Sequence, residues 1–419
     1  MKWKYHTPDG FSDLMPKQCE AKKYIESALR RLFKSAGYDE VYTPGFEFAD
    51  VYAADDELGD LESLFKTFDP QGRILASRFD GTVGVARLAA TKMTRQPLPL
   101  RLSYIEDMYR YKPAGESQLK EFTQAGLELI GSDQPTADGE IIAMAIQAAR
   151  ICGISQIHVA VGQVDFFKSM LEEWELTGEP AHDLVRMIDR KEILAIETFC
   201  DRYELSDGAK QVLNIVLESM GSYDQLAALE SLINNKRGRR ALQNLREILD
   251  YLADRDLLQY VSLDLGMLQS LNYYTGMIFK GYTYALGTPL FSGGRYDQVT
   301  KNFGSDWPAT GFSLSVDEAL TAVERQNKCH FGTLPEKTGI AYASGYRRTA
   351  LLKGKTLRDR GDIVVDALMP MTKEEAGSWA QEQKLAKLYF IDNNMEDEQQ
   401  SAESALEVTA VYETEEQDG

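Results

Sequence analysis

Basic residues are outnumbered in this chain of 419 residues: 46 Lys and Arg stand against 65 Asp and Glu, a net charge of −19. Nucleic-acid binding draws on Lys and Arg that displace counterions from phosphates, so that partner is not expected unless the basic residues cluster. Cysteine is sparse. Cys19, Cys152, Cys200 and Cys329 are scattered without a Cys-x-x-Cys pair. That argues against a disulfide framework and a zinc cluster and points to reduced thiols in the cytoplasm. Cys329 and His330 are adjacent but have no second ligand pair, so they read as a surface loop and no metal is expected. Long apolar runs are missing: nothing approaches the roughly 18 residues of a membrane span. Met1 to Gly10 lacks the apolar stretch of a secretory signal. The expectation is a cytoplasmic chain with no membrane association.

What is present is ordinary for a globular protein: 43% hydrophobic and 26% charged residues, with length for two or three domains. Part of the acid excess is local. The segment Asn394 to Gly419 holds nine acids and no Lys or Arg, and the rest of the chain stands at −10 without it. It reads as a solvated, flexible tail, with one short strand conceivable at Val408 to Tyr412.

Tyr24, Ile25, Ala28, Leu29, Leu32 and Phe33 form an apolar stripe that predicts a helix over Lys17 to Ala36, closed by Gly37. Tyr38 to Tyr42 reads as a strand ended by Thr43-Pro44. Residues 63–130 read as short strands and turns, with strands at Arg73 to Ala76, Leu100 to Ile105 and Phe122 to Ile130. Thr136 to Cys152 is a predicted helix and Gln156 to Val161 a strand. From Asp165 to Asp254 the pattern is helical. Strand signals return at Val261 to Leu265, Gly276 to Tyr284 and Gly311 to Val316, and a helix follows over Asp317 to Arg325. Beyond a linker at Lys328 to Lys337, strand and helix alternate from Gly339 to Ile391, the pattern of a small parallel sheet. The domains expected are 1–327, with a helical insertion near 170–255; 338–393; and the tail 394–419. One basic cluster, Arg237 to Arg240 (RGRR), reads as a solvated turn, or else as a contact for nucleic acid or an acidic partner.

Three segments carry a resemblance in their order and spacing. Arg78-Phe79-Asp80-Gly81-Thr82 is similar to an Arg-Pro-Glu-Gly-Thr element. Leu100 to Gly131 is similar to class II motif 2, with Arg110 at the motif arginine and Gln124-x-Gly126-x-Glu128 at a Gln-x-Gly-x-Glu. Tyr273-Tyr274-Thr275-Gly276 and Gly293-Gly294-Arg295-Tyr296-Asp297 are similar to a Tyr-Tyr-Thr-Gly and Gly-Gly-Arg-Tyr-Asp pair. Over residues 7–325 the chain resembles the histidyl-tRNA synthetase family. The resemblance implies an α+β fold: a class II synthetase-like antiparallel sheet flanked by helices, with a helical insertion and a small C-terminal α/β domain. It also implies a histidine-like pocket of Asp80, Thr82, Arg110, Gln124, Glu128, Tyr273 and Tyr274. Physical chemistry agrees with such a pocket. Carboxylates, an amide and hydroxyls between tyrosine walls suit a small amino acid. Gln124 and Glu128 lie an even number apart, so on a strand both face one side.

The chain also departs from the family pattern. Gln269 stands where the family has an arginine that activates the histidine carboxylate, and Asn272 replaces an Asp. Glu318 aligns with the arginine that ends motif 3 and holds ATP phosphates. Lys112 replaces an acid, and Ser117-Gln118 a Gly-Arg. Loss of one charge-stabilising contact costs roughly 3–4 kcal/mol. A carboxylate about 4 Å from a phosphate adds repulsion of order 4 kcal/mol at an effective dielectric of about 20. Amino-acid activation is therefore not expected. Within the family, the chain resembles the non-catalytic paralogues that serve as regulatory subunits of short-form ATP phosphoribosyltransferase. That implies a short catalytic subunit as partner, a homodimer within a hetero-octamer, histidine as feedback effector, and no cofactor. A divergent histidyl-tRNA synthetase and a stand-alone histidine sensor are the alternatives. Histidine could sit in the pocket or at the contact with the catalytic subunit.

Overall fold

Helix α1 (Pro16–Ser35) starts on a proline whose missing N–H costs nothing in a first turn. It buries Ala21, Ile25, Ala28, Leu29 and Phe33; of the predicted stripe, Leu32 is half-buried and Tyr24 exposed. Gly37, at φ +82°, ends it. Only Asp39–Glu40 (β1) of the expected strand at 38–42 joins a ladder. In this computed structural model the described residues are 3–53, 64–111, 119–217, 223–268, 273–284, 286–326 and 334–393. The acidic segment 394–419, Cys329 and His330 lie outside them. The chain divides into two units, 1–332 and 333–419.

In the first unit a small antiparallel sheet of β2 (Phe46–Phe48), β3 (Lys66–Phe68) and β4 (Ile74–Ser77) has the order β2-β4-β3, with α2 (Asp50–Ala53) between its first two strands. Helix α3 (Gly81–Lys92) follows, where the sequence pattern suggested only strands and turns. Most of α3 is buried, including Gly81 to Ala86, Ala89 and Ala90. A helix of small residues buried all round shows no polar face, so it gives no periodic signal.

The main sheet has eight strands in the order β1-β5-β6-β11-β10-β9-β7-β8: β5 (Leu100–Tyr109), β6 (Glu121–Ile130), β7 (Ile157–Gln163), β8 (Val261–Leu263), β9 (Met277–Thr283), β10 (Phe291–Arg295) and β11 (Ala309–Ser315). Its interior pairings are antiparallel, and only the two edge pairs, β1–β5 and β7–β8, are parallel. Strand β5 runs past the expected Ile105 because Glu106 is not exposed. It is 4% exposed and pairs with Arg78 at 2.8 Å.

Helix α4 (Pro135–Ile151) covers one face with α1. The helical stretch is α5 (Val164–Glu173), α6 (Glu179–Asp189), α7 (Ile193–Arg202), α8 (Asp207–Leu217), α9 (Tyr223–Leu232) and α10 (Lys236–Ala253), and α11 (Val316–Arg325) follows β11. These helices and one sheet face form the larger core. Tyr52, Val83, Leu102, Tyr104 and Tyr296 belong to a second core, with α3. Among the described residues no helix is long and apolar enough to cross a membrane, and no group of His, Cys, Asp or Glu could hold a metal ion.

The second unit alternates β12 (Thr338–Tyr342), α12 (Arg347–Asp359), β13 (Val364–Asp366), α13 (Lys373–Glu382) and β14 (Lys387–Ile391). Its parallel strands have the order β13-β12-β14, around Ile340, Tyr342, Leu357 and Ile391.

Candidate functional site

The start of α3 is fastened to β6 by side chains. The Asp80 carboxylate accepts from the Thr82 backbone N–H at 2.8 Å and caps the helix. The Gln124 amide oxygen accepts from the Gly81 N–H at 3.1 Å and from the Tyr104 hydroxyl at 3.2 Å. Tyr104 packs closely on both segments. A β-carbon at Gly81 would lie 2.2 Å from its ring, and one at Gly126 2.4 Å. The glycines of the two motifs are thus steric requirements for seating this ring.

A cleft of about 280 Å³ opens there, lined by Asp80, Thr82, Arg110, Gln124, Tyr273 and Tyr274 among others. Six of the seven residues of the expected pocket therefore converge. Tyr273 and Tyr274 meet edge to face, ring centroids 4.8 Å apart, and Tyr273 stacks on Tyr296 at 6.0 Å. Burial pushes all three phenols well above their ordinary range, so they stay neutral hydrogen-bonding groups. Arg110 donates to the Phe79 carbonyl at 3.0 Å, lies over the Phe122 ring and reaches Asp80 at 3.4 Å.

Glu128, the seventh, lies behind the lining. It is 1% exposed. One carboxylate oxygen accepts from the Thr82 hydroxyl at 2.7 Å, the other from the Tyr296 hydroxyl. A side chain at Gly311 would collide with it. Burial pushes the Glu128 carboxyl up to about 8, against the two hydroxyl bonds, which pull it down. Tyr296 lines the cleft and holds Glu128, a role that its place in Gly-Gly-Arg-Tyr-Asp did not disclose.

Residues 10–319 match the histidyl-tRNA synthetase family model. The ATP phosphoribosyltransferase regulatory subunit of Acetivibrio thermocellus is 42% identical over 86% of this chain and 86% of its own length. That of Ruminiclostridium cellulolyticum is 36% identical over 94% of each. The chain belongs to the ATP phosphoribosyltransferase regulatory subunits, within the histidyl-tRNA synthetase family. The crystal structure of an ATP phosphoribosyltransferase regulatory subunit/histidyl-tRNA synthetase from Bacillus halodurans superposes with a TM-score of 0.81 at 29% identity, covering 92% of this chain and 98% of that one. The fold is class II synthetase-like.

Membership in a family of regulatory chains accords with the departures from the synthetase pattern. Glu318 sits half-buried in the first turn of α11, its N–H donating to the Ser315 hydroxyl at 3.2 Å. Ser315 lines the cleft and Glu318 does not. Gln269, Asn272, Lys112, Ser117 and Gln118 lie outside the described residues.

A second cleft, of about 500 Å³, is lined by Lys236, Arg237, Arg240 and Asn244 of α10 and by Asp133, Asp138, Asp165, Arg295 and Asp297. It takes in the RGRR cluster. The two clefts share a wall. Tyr273 and Tyr274 line the first, while Thr275 to Met277 line the second. Tyr296 lines the first, while its neighbours Arg295 and Asp297 line the second.

Proposed function

We propose that the chain is the non-catalytic subunit that activates a short ATP phosphoribosyltransferase catalytic chain and carries histidine feedback to it. In this reading it works as a homodimer within a hetero-octamer in the cytoplasm, and the 280 Å³ cleft is the effector pocket. The observation that carries the reading is 42% identity over 86% of the chain to a regulatory subunit of that transferase.

The chemistry of the cleft supports histidine as its ligand. Asp80 and Arg110 offer opposite charges to the ammonium and carboxylate of a free amino acid. Their own contact is long, 3.4 Å, with the Arg110 side chain 38% exposed, and such a pair contributes at most about 1 kcal/mol. Exchanging it for a zwitterion therefore costs little. Gln124 and the tyrosine hydroxyls are left to the imidazole. A cleft of this size lies at the small end of the roughly 300–1,000 Å³ of ligand sites, suited to one amino acid without a nucleotide beside it.

The test is the rate of a short catalytic chain from the same source, with and without this protein, while histidine is titrated in. Stimulation that histidine reverses is expected. Asp80→Asn and Tyr274→Phe should each raise the histidine needed by roughly tenfold, the loss of one hydrogen bond to a charged or buried group. Absence of binding to the transferase would overturn the regulatory role. Unchanged histidine sensitivity in both variants would move the effector to another site, such as the subunit contact. Histidine-dependent ATP–pyrophosphate exchange would restore the synthetase alternative.

A further inference from the structure

We infer that the second cleft is a ligand site of its own, built for a small phosphate ester. Lys236, Arg240 and Asn244 are spaced four residues apart, so they share one face of α10, and all three line the cleft. Side chains at that spacing are neighbours, their β-carbons roughly 6 Å apart, and two like charges there repel. The carboxylates nearby do not relieve the repulsion. Asp138 grips Arg295 through two bonds of 2.9 and 3.1 Å, and Asp297 holds the same guanidinium at 3.2 Å. Asp165 is taken by Arg237 at 2.6 and 2.9 Å. Of the rest of the RGRR cluster, Arg239 turns away and donates to the Ile233 carbonyl.

Among the described residues, Lys236 and Arg240 form no ion pair and no hydrogen bond, and the half-buried Asn244 amide has no partner either. Two adjacent cations and an amide, facing one cavity and bonded to none of its acceptors among the described residues, suit a compact anion with several oxygens. A phosphate meets this: Arg presents a planar fork and Lys a point charge. The remaining acid, Asp133, accepts only from Gln134 and is free to take hydroxyl donors from the body of an ester. A polymer is disfavoured, because the cleft carries four carboxylates and the chain as a whole is strongly acidic, which opposes a polyanion. The volume falls within the range of small-molecule sites. This inference stands apart from the assignment of histidine to the first cleft.

The test is calorimetric titration of the full chain at low ionic strength with inorganic phosphate, ribose 5-phosphate and ribose. Saturable binding of the two phosphates and none of ribose is expected. The double variant Lys236→Ala/Arg240→Ala should weaken both by roughly tenfold or more. Asp133→Asn should weaken ribose 5-phosphate alone. Arg190→Ala, on an exposed helix end away from both clefts, should change neither. The substituted cations are exposed, so an unaltered melting temperature separates lost binding from lost fold. No saturable phosphate binding, phosphate binding that the double variant leaves intact, or binding of ribose as tight as that of its phosphate would each overturn the proposal.

Discussion

Glu128 is a carboxyl almost wholly withdrawn from solvent. Two hydroxyls serve it, from Thr82 and Tyr296, and the bare α-carbon of Gly311 leaves it room. Its titration point, about 8 against an ordinary 4.5, sets the sign of a pH effect. Below about pH 4.5 folded and unfolded chains both hold the proton, and nothing changes. Between there and about 8 the unfolded chain has released the proton while the folded chain keeps it. Stability therefore falls as pH rises, by at most about 1.4 kcal/mol per pH unit, and levels off above. Glu128→Gln imitates the protonated group. Urea unfolding at about pH 5 and about pH 8.5 should show that decline in the parent chain and a smaller one in the variant. Equal declines in both would mean the carboxyl is ionised in the fold. The burial that makes Glu128 a supporting residue was not legible in Gln-x-Gly-x-Glu, because it depends on Gly311, a strand neighbour distant in the chain.

At the scale of elements, β10 and the residue pair after it show how one short strand serves two purposes. Gly294 lets the Tyr274 ring lie flat against the backbone, where a β-carbon would stand 2.7 Å away. Arg295, 7% exposed, ties the strand to the start of α4 through Asp138. Removing one partner of a buried ion pair costs about 3–5 kcal/mol, whereas replacing both by apolar groups can be neutral. Arg295→Ala should therefore lower the unfolding free energy by about that amount, and Arg295→Met with Asp138→Leu should restore most of it. If the double variant is as unstable as the single one, the pair is not what holds the strand.

Helices α1 and α10 were legible because one face is apolar and the other solvated. Helix α3 was not, being buried all round, although Asp80 before it has the residue type of an N-cap. Strand β5 runs past the expected Ile105 because the charged Glu106 is buried within it. The Arg78 guanidinium, fixed by Glu106 and the carbonyls of Thr43 and Asp107, makes that charge tolerable inside. The site residues were legible through the order of motifs along the chain, and their distances from one another were not.

For the whole molecule, net charge bears on whether a polyanion can bind. At −19 the chain presents a field that repels a polyanion, and the RGRR segment, the cluster singled out in the sequence, is partly spent on its own carboxylates. Filter binding of tRNA at physiological salt is expected to show no retention. Retention with a steep salt dependence would indicate an RNA-facing surface.

The wall between the two clefts has a consequence for how the molecule keeps accounts of its surroundings. Tyr273 to Met277 and Ser292 to Asp297 face one cavity with some side chains and the other cavity with their neighbours. A molecule that shifts this wall from one side alters the shape offered on the other, and by linkage the influence runs equally in both directions. Were the wall to move in this way, neither occupant's affinity would be a property of its own cavity alone. The chain would then weigh two concentrations against each other across a wall built from neighbouring residues.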